Sequence, residues 1–107
     1  MIEIRDGGGN PLHTHEGDTL ADADLAYAWL AHASLGGANL NGADLNGADL
    51  SHTYLTDANL ATANLTCANL TDALLCQANL DGAVLLGANL GGANLHDTVL
   101  IGTILDT

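Results

Sequence analysis

A leucine occupies every fifth position from Leu20 to Leu105, eighteen times without a miss. A period of five belongs to neither common secondary structure. On a helix, five residues advance about 500°, so successive leucines land roughly 140° apart and form no stripe. On a flat strand an odd period throws each leucine onto the face opposite the last. The leucines share one core only if the chain turns once per repeat.

The other positions say how it turns. Residues 18–107 divide into eighteen pentapeptides. Two residues before each leucine stands Ala in fourteen repeats, Thr at Thr53, Thr98 and Thr103, and Asp at Asp18. On an extended segment that residue and the leucine point the same way, which must be inward because they are the recurrent apolar pair. The residue between them is mostly Asn or Asp, as in Ala38-Asn39-Leu40 and Ala43-Asp44-Leu45, and points outward. The two residues after leucine must carry the corner. Glycines such as Gly42 and Gly82 suit the positive φ of a turn. Alanine is small because a narrow tube cannot hold two large side chains per repeat. Stacked repeats of this kind make a solenoid.

The tandem pattern Ala-Asn/Asp-Leu-x-x resembles the pentapeptide-repeat family over about five-sixths of the chain. That resemblance implies an all-β fold: a right-handed quadrilateral parallel β-helix with four pentapeptides per coil. Eighteen repeats then make about four and a half coils, a tube about 22 Å long at the usual strand spacing. Four repeats per coil place residues 20 apart in vertical columns. Asn39, Asn59 and Asn79 form one, whose amides are expected to hydrogen-bond along the stack.

Residues 1–17 break the period. Ile2 and Ile4 alternate with Glu3 and Arg5, residues 6–11 are turn formers, and Leu12 to His15 read as a returning strand. The expected organisation is an N-terminal β-hairpin cap over 1–17 and a repeat domain over 18–107. No comparable cap is expected at the C-terminus. Outward apolar residues gather late, at Val84, Leu86, Val99, Ile101 and Ile104. An uncapped coil with such residues invites a second copy. The expected two-fold dimer interface contains Val99, Ile101, Ile104 and Leu105.

Charge narrows the choice of partner. Thirteen acids face one base, Arg5, for a formal charge of −12, and lysine is missing. Nucleic acids and anionic membranes bind through Lys and Arg, so neither is an expected partner. A protein with a basic surface is. The outward acids Asp24, Asp44, Asp49, Asp57, Asp72, Asp81 and Asp97 are the candidate binding residues. No run approaches the roughly 18 apolar residues of a membrane span, and the first residues lack a signal segment. Two cysteines, Cys67 and Cys76, imply no disulfide framework, which favours a cytoplasmic protein.

Catalytic and metal chemistry find little support. His13 and His15 share a strand face, but two ligands do not make a metal site, and both read as solvated hairpin residues. His32, His52 and Asp72 form a column whose spacing the fold alone explains. Gly7-Gly8-Gly9 lacks the lysine and the strand-to-helix context of a phosphate loop. The expectation is a non-enzymatic protein without catalytic residues, metal or cofactor, presenting a rigid acidic surface to another protein.

The alternative is DNA mimicry. Ten Asp in the repeats over the tube length give roughly one negative charge per 2 Å, against about one per 1.7 Å for duplex DNA. Some pentapeptide-repeat proteins mimic DNA and inhibit or protect DNA gyrase and related topoisomerases. This chain resembles them in repeat type and acidity. It departs from them in being short, in never using Phe as the core residue, and in having no loop between repeats.

Overall fold

A computed structural model describes residues 1–105; the last two residues of the eighteenth repeat, Asp106 and Thr107, lie outside it. Parallel bridges join residues 20 apart along four columns. The first side carries Asp24, Asp44, Asn64, Val84 and Ile104 outward. The second carries Trp29, Asp49, Asn69 and Asn89; the third, Ser34, Tyr54, Leu74 and Asn94; the fourth, Asn39, Asn59, Asn79 and Val99. Twenty residues per coil and five per side make the tube four-sided. The fold is a right-handed quadrilateral β-helix.

Each side is a three-residue strand segment paired in both directions. Leu45 N–H donates to the Asn64 carbonyl (2.8 Å), toward the next coil, and Asp44 N–H donates to the Ala23 carbonyl (2.9 Å), toward the previous one. Each corner closes when the alanine N–H donates to the preceding leucine carbonyl, as in Ala43 to Leu40 (3.0 Å). Between those two residues only the second has positive φ, which is the type II pattern. Glycine fills seven of these corners, but ten are filled by other residues, from Asp22 (φ 60°) to Asp97 (φ 57°). Stacking overrides the local preference because every coil must turn at the same height. Left-handed backbone costs a residue with a Cβ roughly 1–2 kcal/mol.

That strain is testable in one column. Thr62 holds φ 59° and Gly82, directly beyond it, holds φ 72°. A Cβ on Gly82 would meet Thr62 Cγ2 at 3.5 Å, an ordinary contact, so sterics add nothing. Gly82→Ala is expected to cost about 1 kcal/mol through φ alone, while Thr62→Gly gains about 0.5. Urea unfolding midpoints should move in opposite directions.

Leucine and alanine fill the tube. Leu20 through Leu85 are all buried, as are the alanines two residues before Leu25 to Leu85, except Ala28 and Ala38, which are half-buried. Thr53 replaces alanine without leaving an orphaned hydroxyl, because its Oγ1 donates to the Leu30 carbonyl (3.2 Å). The interior does not take all eighteen leucines. Leu90 and Leu95 are half-buried, and Leu100 and Leu105 are 44% and 64% exposed. A leucine here is covered by the coils on both sides of it, and the last described coil has a neighbour on one side only.

The N-terminal segment forms an antiparallel hairpin of β1 (Ile2–Arg5) and β2 (Pro11–His15), with an irregularity between Ile4 and Arg5. It docks on the first coil. Ser34 N–H donates to the Arg5 carbonyl (2.7 Å), Asp6 bridges Ala33, and Ile4 is buried in the core. His13 and His15 pair with Ile4 and Ile2. They are half-buried rather than solvated, because the hairpin face they share with the isoleucines lies against the tube.

Candidate functional site

The candidate acids occupy two kinds of position, and the fold uses each kind locally. Asp24, Asp44 and Asp49 stand outward on the sides. Each turns Oδ1 onto the backbone two residues ahead: Asp24 accepts from Ala26 N–H (3.2 Å), Asp44 from Asn46 N–H (3.0 Å), and Asp49 from Ser51 N–H (3.0 Å). The Ser51 hydroxyl also donates to Asp49 Oδ1 (2.7 Å). Asp57, Asp72 and Asp97 are second corner residues with positive φ, a conformation that Asp adopts more readily than most. Asp81 is the first residue of its corner and is exposed.

The seven acids therefore encircle the tube. Asp24 and Asp44 stack on the first side and Asp49 lies on the second. Asp72 is at the corner between the second and third sides, Asp57 and Asp97 between the third and fourth, and Asp81 between the fourth and first. Only the Asp24–Asp44 pair is brought together as coil neighbours.

Asparagine serves the same local purpose at neighbouring heights. Ala61 N–H donates to Asn59 Oδ1 (3.0 Å), Thr66 N–H to Asn64 Oδ1 (3.1 Å), and Thr71 N–H to Asn69 Oδ1 (3.0 Å). This corrects the expected amide ladder. The Asn39, Asn59 and Asn79 side-chain carbonyls accept from the backbone N–H two residues ahead, and among the described residues no amide-to-amide bond runs along this column. It also isolates what is specific to Asp. The backbone needs an acceptor oxygen there, and either residue supplies one.

No base within the repeats offsets the charge. Arg5 lies in the hairpin, where it pairs with Glu3 (2.7 Å) and donates from Nη1 to the Gly9 carbonyl (2.6 Å). The hairpin turn is organised by Asp6. The Asn10 side chain and the Asn10 and Gly8 N–H groups donate to its carboxylate, and with His32 nearby they hold its pKa below the usual carboxylate value. A depressed folded pKa means that this contribution is complete above the unfolded value, near 3.9, and lost as pH falls through the lower folded value. Protection of the Gly8 and Asn10 amides from hydrogen exchange should therefore persist through mild acid and fail only below the ordinary carboxylate range.

The histidine column forms a parallel stack. The His32 and His52 ring centroids lie 4.9 Å apart with 5° between the planes, and His52 Nε2 is 3.8 Å from Asp72 Oδ2. Stacked rings run their nitrogens side by side instead of converging them. Among the described residues no three His, Cys, Asp or Glu side chains are arranged to hold a metal ion, and no cavity is present. Cys67 and Cys76 are free thiols on diagonally opposite corners. No helix is long and apolar enough to cross a membrane.

Near the C-terminal end, Val99, Ile101, Ile104 and Leu105 are exposed, Ile101 at 77%. Among the described residues the Leu90, Leu95 and Leu100 N–H groups have no backbone acceptor. Sequence reasoning missed the exposure of Leu100. It also gave no weight to Tyr27 and Trp29, which are 75% and 66% exposed; their signal was that large aromatics head columns continued by Gly47, Cys67 and Gly87 and by Asp49, Asn69 and Asn89.

A family model described as pentapeptide repeats matches residues 20–57, 43–80 and 68–106. Among solved structures, the chain is similar to Rfr23, a pentapeptide repeat protein from the cyanobacterium Cyanothece 51142. The two share 35% identity over 98% of this chain and 75% of the other, with a TM-score of 0.69. A pentapeptide repeat protein from the Arabidopsis thaliana thylakoid lumen is 30% identical over 79% of this chain and 63% of its own, with a TM-score of 0.66. No curated protein matches the chain.

Proposed function

This chain belongs to the pentapeptide-repeat family, and we propose that it works as a non-catalytic protein-interaction scaffold presenting a rigid acidic surface to a basic partner. One observation carries the reading. The fold accepts Asn or Asp at its outward positions, yet Asp recurs there without a compensating Lys or Arg in the repeats. The charge is therefore not a by-product of the geometry. Stacked coils with ladder bonds in both directions hold these carboxylates at fixed spacing, so docking orders little of the surface.

The binding residues are Asp24, Asp44, Asp49, Asp57, Asp72, Asp81 and Asp97. The free thiols favour a reducing compartment and hence the cytoplasm. The outward apolar side chains that gather near this end favour a dimer through Val99, Ile101, Ile104 and Leu105. Sedimentation should show a concentration-dependent dimer that Ile101→Asp abolishes; a monomer at high concentration removes this part. The interaction itself is tested by immobilising the protein and applying cell extract. Partners should be retained at low salt and released as the screening length falls below about 10 Å. Retention that salt does not affect counts against the acidic surface.

The second reading is DNA mimicry, favoured by the spread of acids around all four sides, as charge surrounds a duplex. A gyrase supercoiling assay tests it. Inhibition or protection at micromolar protein supports mimicry, and no effect leaves the general scaffold alone.

A further inference from the structure

We infer that the corner carrying Tyr27, with Trp29 beside it, is a docking surface for arginine side chains of a basic protein segment. The inference rests on the acidic-surface reading and names where on that surface a partner is gripped.

The geometry begins with a glycine. Tyr27 is a second corner residue (φ 61°), and the next residue in its column is Gly47. A Cβ at position 47 would lie 2.6 Å from Cδ1 and Cε1 of the tyrosine ring. The Cδ1–Cε1 edge of the ring thus lies over Gly47 of the second coil, in space that the Cβ of any other residue would fill. The side chain nonetheless stays 75% exposed. Asn46 Nδ2 reaches the Tyr27 hydroxyl at 3.5 Å, at the edge of hydrogen bonding, and steadies the far end. Trp29 stands two residues on, at the head of the second side, with Asp49 next in its column.

Carboxylates border this platform on both sides. Asp24 and Asp44 run down the first side and Asp49 lies on the second. In each, Oδ1 is engaged by the local backbone, while Oδ2 has no hydrogen-bond partner among the described residues. No base in the repeats competes for them.

Flat aromatic faces with free carboxylate oxygens alongside match the guanidinium group. It stacks on aromatic rings through its plane and directs N–H groups outward to carboxylates at its edge. Lysine offers a point charge without the plane. Charge complementarity sets the rest of the occupant: the protein carries −12, so a segment rich in arginine is drawn to it, whereas an acidic or neutral peptide is not. No other corner carries Tyr or Trp; the corner after the second side holds the stacked His32 and His52 imidazoles, which are themselves basic, and Tyr54 stands on the third side away from Asp24, Asp44 and Asp49.

The test is titration of the intact protein with an oligoarginine peptide at low salt, read by calorimetry and by Trp29 fluorescence. Trp29 is the only tryptophan, so its emission reports on this corner. Saturable binding with a change in emission is expected. Tyr27→Gly and Trp29→Asn should each weaken binding about fivefold. Both variants should fold, since glycine takes the Tyr27 conformation without strain and Asn69 and Asn89 already occupy the Trp29 column. Tyr54→Asn, which removes an exposed aromatic from the third side and places there the residue that Asn94 already is in the same column, should stay within about twofold of the wild type. Binding that the two aromatic variants leave unchanged overturns the inference but spares the acidic surface. Failure of oligoarginine to bind the wild type overturns both.

Discussion

Replacing Leu60 by Ala should lower the unfolding free energy by about 2–5 kcal/mol. Leu60 is fully buried, between Leu40 of the coil before and Leu80 of the coil after, which are buried as well. Its neighbours are poorly placed to fill the gap. Leu60 N–H donates to the Asn79 carbonyl (2.7 Å) and Asn59 N–H to the Ala38 carbonyl (2.9 Å), so the wall is bonded to the coils on both sides. A wall tied in this way cannot collapse inward, and cavities that persist sit at the high end of the range. Asp57→Ala is the control. Asp57 points outward from a corner and makes no side-chain hydrogen bond among the described residues. Both Asp and Ala carry a Cβ, so the φ strain is unchanged, and the cost should stay under about 1 kcal/mol. Chemical denaturation of the two variants under one set of conditions decides the matter. Equal losses would mean that inward and outward positions have been exchanged.

The inward register was legible because the leucine period admits one solution: a turn in every repeat. The column partners followed once the resemblance supplied four sides, and each parallel bridge joins residues 20 apart. What the period could not reveal was how polar atoms are spent within a repeat. Asn59 reads identically whether its amide bonds along the stack or its carbonyl accepts from Ala61 N–H, and only the folded corner, which sets that N–H 3.0 Å from Oδ1, decides. The corners hid a similar ambiguity. Gly82 advertises positive φ, whereas Thr62 at the same position advertises the opposite and is overruled by the coils that sandwich it. Leu100 looked like core because pattern alone does not say whether a coil has neighbours on both sides. The position of every candidate acid could be read from the columns. The freedom of Asp44 and Asp49 to offer a second oxygen, and the flat tyrosine beside them, could not, since both depend on what the neighbouring coil places underneath.

Changing the seven outward acids to Asn should abolish function while preserving the fold. The substitution takes the formal net charge from −12 to −5 and changes almost no shape. At Asp24, Asp44 and Asp49 the Asn carbonyl accepts the same backbone N–H, as Asn64 and Asn69 already do one coil beyond Asp44 and Asp49 in the same columns. At Asp57, Asp72 and Asp97 the φ values of 63°, 58° and 57° are ones that Asn tolerates as well as Asp. Removing like charges also relieves self-repulsion, so the melting temperature should hold or rise. Binding should respond in the opposite direction. Exposed ion pairs contribute about 0.2–1 kcal/mol each, and seven together come to about 3 kcal/mol, or roughly 100-fold in affinity for oligoarginine at low salt. The wild type and the variant should converge as salt rises, because screening removes what the substitution has already taken away. If mimicry is the role, any effect on gyrase disappears in the same variant. A folded variant that binds as tightly as the wild type would show that recognition lies in shape or in the apolar C-terminal coil, and the acids would then be there for solubility alone.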